Sequence, residues 1–289
     1  MNARSGNSRR RGDPWQHAGA VFLAVLIVFS LLPMAWMLLT SIKTQFAALQ
    51  FPPEWIPHNP TLANYIALLS PQADVGREFL RYMVNSLWVS FASTVLGVAV
   101  AVPAGYAFSR FRFPGRNLLF YGVLLRNMFP AVVFLMPLFI MMRWLGLVGT
   151  QSSLILTYLT FGLPLSIWLL KGFYDNIPVQ LEQAARIDGA SRFRAFLLIV
   201  MPLSSPGIIA TAIYSFILAW NEYVYALTFL NDQSRLTLPV GLQRFFTEYA
   251  TNWPGLMAAS FIMSVPVVAL FLVLQKYFVR ALTEGAVKS

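Results

Sequence analysis

Charge is scarce in this sequence. Only 11% of its 289 residues are Asp, Glu, Lys or Arg, where a soluble domain carries about 25%. A soluble surface of this size needs more charge to stay dissolved, which excludes a two-domain soluble enzyme. Cysteine is absent, so there is no disulfide framework and no thiolate metal site. Histidine occurs twice, at His17 and His58, and no H-E-x-x-H motif is present. No G-x-x-x-x-G-K-[ST] loop occurs either, so the chain lacks the usual cradle for the phosphates of ATP. Disorder is excluded by abundance instead, because 57% of residues are apolar and 15% aromatic.

What the sequence does have is long apolar runs, with a mean hydropathy of +0.63. Windows fall at about 18–42, 81–108, 118–142, 152–171, 199–230 and 257–279, and a helical span takes about 20 residues. They predict an all-α integral membrane protein with six transmembrane helices. The N-terminus, MNARSGNSRRRGDPWQ, resembles the basic start of a signal peptide. The run behind it is too long for a signal core and shows no clear small-residue cleavage site, so it reads as a retained span. The chain divides into an N-terminal segment 1–17, a membrane domain 18–282 and a tail 283–289. Pro33, Pro103, Pro130, Pro137, Pro164 and Pro266 lie in or near the windows, where membrane helices tolerate kinks if neighbours satisfy the freed backbone.

The net charge of +10 suggests nucleic acid in a soluble protein, but in a membrane protein it reports sidedness. With the N-terminus inside, the inner side holds Arg4, Arg9, Arg10, Arg11, Arg110, Arg112, Arg116, Lys171, Arg186, Arg192, Arg194, Lys276, Arg280 and Lys288. The outer side holds Lys43, Arg77, Arg81, Arg143, Arg235 and Arg244. Fourteen of 21 basic residues therefore lie inside and six outside. Five carboxylates on each side leave +9 against +1. Both termini are expected in the cytoplasm, and most of the charge is topology rather than a nucleic-acid surface.

One inner loop, about 171–198, carries more information than the rest. Pro178 suits the start of a helix. Leu181, Ala184, Ala185 and Ile187 give a partly apolar helical face. Asp188-Gly189 stops that helix, with Gly free to take positive φ. Ser191 can cap the next helical stretch. Physics alone leaves two readings: a helix that docks a soluble partner, or one lying among lipid headgroups.

The residues carry a resemblance. Gln183-Ala-Ala-x-x-x-Gly189, nine further residues, then Ile199-x-Met-Pro202 resembles the EAA loop of ABC importer permeases. Two positions depart from that pattern: Gln183 stands for its Glu and Met201 for its Leu, while Glu182 keeps a carboxylate one residue earlier. The loop is similar to that of the MalG-like carbohydrate branch. Gly105-Tyr-Ala-Phe-Ser-Arg-Phe-Arg-Phe-Pro-Gly115, Trp220-Asn-Glu-Tyr223, Thr237-Leu-Pro-Val-Gly241, Met257-Ala-Ala-Ser260 and the tail from Leu282 agree in order.

The resemblance implies the type I ABC importer permease fold with a cytoplasmic coupling helix, in an inner membrane. It implies a second, MalF-like permease subunit, two ATP-binding subunits and an extracytoplasmic sugar-binding protein. ATP and Mg would sit on the partner ATPase, with no cofactor and no enzymatic activity on this chain. Glu182, Gln183, Ala184, Ala185, Asp188 and Gly189 are the ATPase-coupling candidates. The tail from about Thr283 would reach towards the same interface.

Two charges, Arg126 and Glu222, fall in or near apolar windows, where a buried charge costs at least about 2.5–3.5 kcal/mol. Asn127 adjoins the first, and Trp220, Asn221 and Tyr223 surround the second. Aromatic faces with amide and carboxylate groups suit sugar hydroxyls, so these six are candidates for the substrate pathway. The alternatives are that Glu222 pairs with Arg126 or caps a broken helix. Outer aromatics such as Phe51, Trp55, Phe245, Phe246 and Trp253 could dock a binding protein or anchor at the interface. The rival readings are a permease for a non-sugar solute, a membrane-embedded enzyme such as a transferase, which would want paired intramembrane acids or His clusters, and a secondary transporter. The last would show repeats and several intramembrane acids, and neither is evident here.

Overall fold

The computed structural model describes residues 14–246 and 251–286. Most of segment 1–17 and the last residues of the tail, 287–289, lie outside the described residues. The longer helices are α1 (Pro14–Ser41), α2 (Asp74–Arg110), α3 (Arg116–Leu125), α4 (Leu135–Trp144), α5 (Gln151–Asp175), α6 (Val179–Ile187), α7 (Ser205–Trp220) and α8 (Trp253–Ala286). Among the described residues, β structure is limited to one bridge between Phe246 and Thr251.

Four helices are long enough and apolar enough to cross a membrane: α1, α2, α5 and α8. The other two expected spans are bent. Arg116–Met128 and Ala131–Trp144 meet at 104°, and Arg192–Leu203 and Ser205–Trp220 at 73°. The first bend sits at Phe129-Pro130. Proline has no N–H to offer and drives the residue before it out of the helical region, and Phe129 takes φ −92°, ψ 137°. The second bend follows a π-helical turn at Phe196–Val200 and falls at Ser204, just ahead of Pro206. The fifth span is therefore shorter than the window 199–230. It ends at Trp220, and Val224–Phe229 forms a separate short helix.

The core is built on α2. Its buried positions include Ser86, Ser90, Ser93, Gly97, Ala101 and Gly105, three or four residues apart, which makes one stripe of small side chains along the helix. Small residues let membrane helices approach closely, and α5 and α7 pack along α2. At Gly105 a Cβ would stand 3.0 Å from Leu170 Cβ and 3.2 Å from the Lys171 amide nitrogen. By contrast α1 is apolar all round, with Val21, Val28 and Phe29 more than half exposed. That is the pattern of a lipid-facing span, and its main neighbour is α8.

The two ends of the bundle differ. At the α1 C-terminus Lys43 is buried, donates to the Glu54 carbonyl and lies over the Trp36 ring at 4.6 Å. It ties the proline-rich segment after α1 back onto that helix. At the opposite end, α5 leads through Pro178 into α6. Gly189 then turns at φ +90°, and Ser191 Oγ accepts the Arg194 N–H at 3.2 Å.

Candidate functional site

Two groups of candidate residues come under the geometry. The first is α6 and its surroundings. Successive helical residues point about 100° apart, so the face of Glu182 is not the face of Gln183. Glu182 is buried, whereas Gln183, Ala184, Asp188 and Gly189 are exposed and Ala185 is half-buried. The Tyr106 hydroxyl donates to Glu182 Oε2 at 2.6 Å, and Arg110 Nε donates to Glu182 Oε1 at 2.6 Å. Arg110 Nη2 also donates to the Ile177 carbonyl at 2.7 Å. Around this pair, Ser109 Oγ donates to Asp175 Oδ1 at 2.6 Å, and Lys171 Nζ meets Asp175 Oδ2 at 2.5 Å. The carboxylate of α6 is thus occupied within its own chain. Its outward face offers an amide, small side chains and the exposed apolar groups of Leu181 and Ile187. Neither Arg110 nor Tyr106 stands out in the sequence as a partner for Glu182. They lie 72 and 76 residues away, and no local pattern links them.

The second group is the set of polar residues at membrane depth. The structure divides it. Trp220 is buried, stacks on Phe216 with centroids 5.7 Å apart and donates its Nε1–H to the Met263 carbonyl at 3.1 Å. It locks α7 to α8. Glu222 accepts the backbone N–H groups of Tyr225 at 2.9 Å and Ala226 at 3.1 Å, together with the Tyr158 hydroxyl at 2.8 Å. It caps the short helix Val224–Phe229, the helix-end role of an acidic side chain. Among the described residues it forms no ion pair with Arg126. The Tyr223 hydroxyl accepts from the Gln243 side-chain amide, and Asn221 is exposed and donates to the Ile217 carbonyl at 2.9 Å.

Arg126 lies instead on aromatic faces, 3.7 Å from the Phe161 centroid and 5.1 Å from that of Phe134. Its Nη1 donates to Asn127 Oδ1 at 3.2 Å, while Nε and Nη2 are buried without a hydrogen-bond partner. Asn127 itself is exposed. Phe161 and Tyr158 on α5 are not among the candidates that the sequence offers. Their three-residue spacing places them on one helix face, the one signal that could have suggested them. Among the described residues, no group of three or more His, Asp or Glu stands close enough to hold a metal ion.

Comparison with known proteins is consistent with this layout. The chain is 38% identical over 265 residues to the sulfoquinovosyl glycerol transport system permease protein of Agrobacterium fabrum, covering 92% of this chain and 91% of that one. It is 37% identical over 271 residues to the trehalose/maltose transport system permease protein of Thermococcus litoralis, covering 93% and 95%. Among solved structures it is similar in fold to a bacterial ABC transporter that imports the acidic polysaccharide alginate. That match has a TM-score of 0.78 and 22% identity, covering 96% of this chain and 100% of that one. A family profile described as the binding-protein-dependent transport system inner membrane component matches residues 93–284. The profile covers about two thirds of the chain and the relatives cover more than nine tenths of it, so the chain belongs to the family of binding-protein-dependent transport system inner membrane components, the permease components of ABC importers.

Proposed function

We propose that this permease subunit carries a carbohydrate or glycoside inward, forming half of the pathway with a MalF-like partner permease. Two ATP-binding subunits drive it, and an extracytoplasmic sugar-binding protein delivers the substrate. ATP and Mg act on the ATPase subunits. Both termini and α6 face the cytoplasm, in keeping with the fourteen basic residues on that side. The sugar assignment is supported by the relatives named above, whose solutes are a sugar glycerol and two disaccharides.

The observation that carries the coupling role is the exposed face of α6. Leu181, Gln183, Ala184 and Ile187 are solvent-facing in the isolated chain. A nine-residue helix with apolar groups and small side chains outward leaves room for close docking in a cleft. Gln183, Ala184, Ala185, Asp188 and Gly189 would meet the ATPase. Arg126, Asn127, Asn221 and Tyr223 are the remaining candidates for the substrate pathway. Trp220 and Glu222 serve the fold through the bonds described above.

The test is copurification followed by transport. The chain, expressed with its partners, should bring down an ATP-binding subunit. In proteoliposomes with binding protein it should accumulate a labelled sugar from a panel of mono- and disaccharides only when ATP is present. A complex that lacks an ATPase and accumulates solute on an ion gradient overturns the reading. Sidedness is checked separately. The chain has no cysteine, so in vesicles that hold the permease pair without its ATPase, Ile187→Cys should react with an impermeant thiol reagent only from the cytoplasmic side.

A further inference from the structure

The Arg110–Glu182 pair stands apart from the other ion pairs among the described residues. Both of its side chains are 9% exposed. The remaining pairs have at least one partner more than 40% exposed and link residues three or four positions apart on local structure. A buried ion pair is a weak source of stability, because desolvation offsets the attraction. What it offers is direction. A guanidinium fork fixes its acceptors in a plane, and Arg110 uses that fork on two acceptors that flank Pro178. Nε takes the Glu182 carboxylate and Nη2 the Ile177 carbonyl. The last residue of α2 therefore holds both the entry to α6 and its first full turn.

α6 needs such a hold. Nine residues are too few for a helix to be stable by itself in water. Apart from this fork its main neighbours are the segments Arg192–Ala195 and Phe196–Val200. α2, by contrast, runs 37 residues from Asp74 to Arg110 and packs its small-residue stripe on α5 and α7. A displacement applied to α6 reaches the far end of the bundle if α6 and the end of α2 move together.

We propose that Arg110, Glu182 and Tyr106 form an internal latch that makes α6 and the end of α2 one rigid body. Glu182 is then a positioning residue that transmits the movement, and the ATPase is met by its outward neighbour Gln183. The latch rests on the reading of this chain as an ATPase-driven permease.

The experiment uses the full transporter in proteoliposomes and reads solute moved per ATP hydrolysed. Glu182→Gln and Arg110→Gln should each lower that ratio about tenfold, with the ATPase retained in the complex at the wild-type ratio. The double variant should fall no further than the worse single one, because one contact is lost in all three. Arg110→Cys with Glu182→Cys should be uncoupled in the same way and regain transport when a bifunctional thiol reagent joins the two. The natural chain has no cysteine, so within this subunit the reagent acts at that pair alone.

The latch is overturned if Glu182→Gln releases the ATPase while Arg110→Gln does not, since Glu182 would then be a direct ATPase contact. It is equally overturned if transport and hydrolysis fall in step with an unchanged ratio, or if cross-linking leaves the cysteine pair uncoupled. A wild-type complex that moves solute without hydrolysing ATP fails at the earlier stage, and removes the parent reading together with the latch.

Discussion

At the α6 end, Arg110 and Glu182 lie 72 residues apart in sequence and meet at 2.6 Å with both side chains buried. At membrane depth, Arg126 and Glu222 do not pair. Arg126 rests on Phe161 and Phe134, and Glu222 is taken up by two backbone N–H groups and a tyrosine hydroxyl. The first region joins separate helices through opposite charges. The second holds each charge separately, one on aromatic faces and the other at a helix end. Removing one member should therefore orphan a buried charge in the first region and leave none orphaned in the second.

The largest expected effect tests that claim directly. Glu182→Ala strips a buried guanidinium of its carboxylate and should lower the stability of the permease pair by about 3–5 kcal/mol, read as a drop in thermal unfolding midpoint in detergent. Gly105→Leu comes next. The added side chain meets Leu170 Cβ and the Lys171 amide nitrogen, and overpacking there should cost about 1–3 kcal/mol while pushing α2 and α5 apart beside the latch.

Glu222→Ala loses a helix cap and leaves the buried Tyr158 hydroxyl without its acceptor, for about 2 kcal/mol. Arg126 should remain undisturbed by it. Arg126→Leu removes an aromatic contact but orphans no carboxylate, so about 1 kcal/mol or less is expected. A loss as large as that of Glu182→Ala would break the contrast and reveal an acidic partner for Arg126 in the assembled complex.

The smallest effect is one of pH. The Ser234 backbone N–H donates to Asp232 at 2.8 Å, and this bond holds the Asp232 carboxyl below its ordinary value. A depressed carboxylate contributes its stabilisation above the ordinary value and loses it as pH falls through the lowered one. The Ser234 amide resonance should shift only below about pH 4, with the α6 end unchanged.

Much of this molecule could be read before its folding was known. The long windows became α1, α2, α5 and α8 because an uncharged run of about 20 residues has one stable arrangement in lipid, a helix with its backbone bonds closed internally. The start and stop of α6 were equally local. Pro178 stands immediately before it, Gly189 turns at φ +90° and Ser191 caps the helical turn at Arg192–Ala195. The bends were less legible. Pro130 is visible in the sequence, yet proline inside α2 at Pro103 leaves that helix continuous, so the neighbours decide whether a proline kinks or breaks a span. Least legible were the partners of the charges. Glu222 suits a cap, a partner for Arg126 and a substrate contact by sequence, and its distances to Tyr158, Tyr225 and Ala226 are those of a helix-end acceptor.

The sequence by itself determined the class, four of the six spans and the family. Those depend on composition and on short-range pattern, which lipid and backbone geometry translate directly. The tertiary structure decided which face of α6 is free. Glu182 and Gln183 are adjacent residues of similar size, and nothing local tells the anchored side chain from the outward one. That choice is made by where α2 ends, because Arg110 and Tyr106 arrive beside Glu182 only after α2 and α5 have packed along their small-residue stripe.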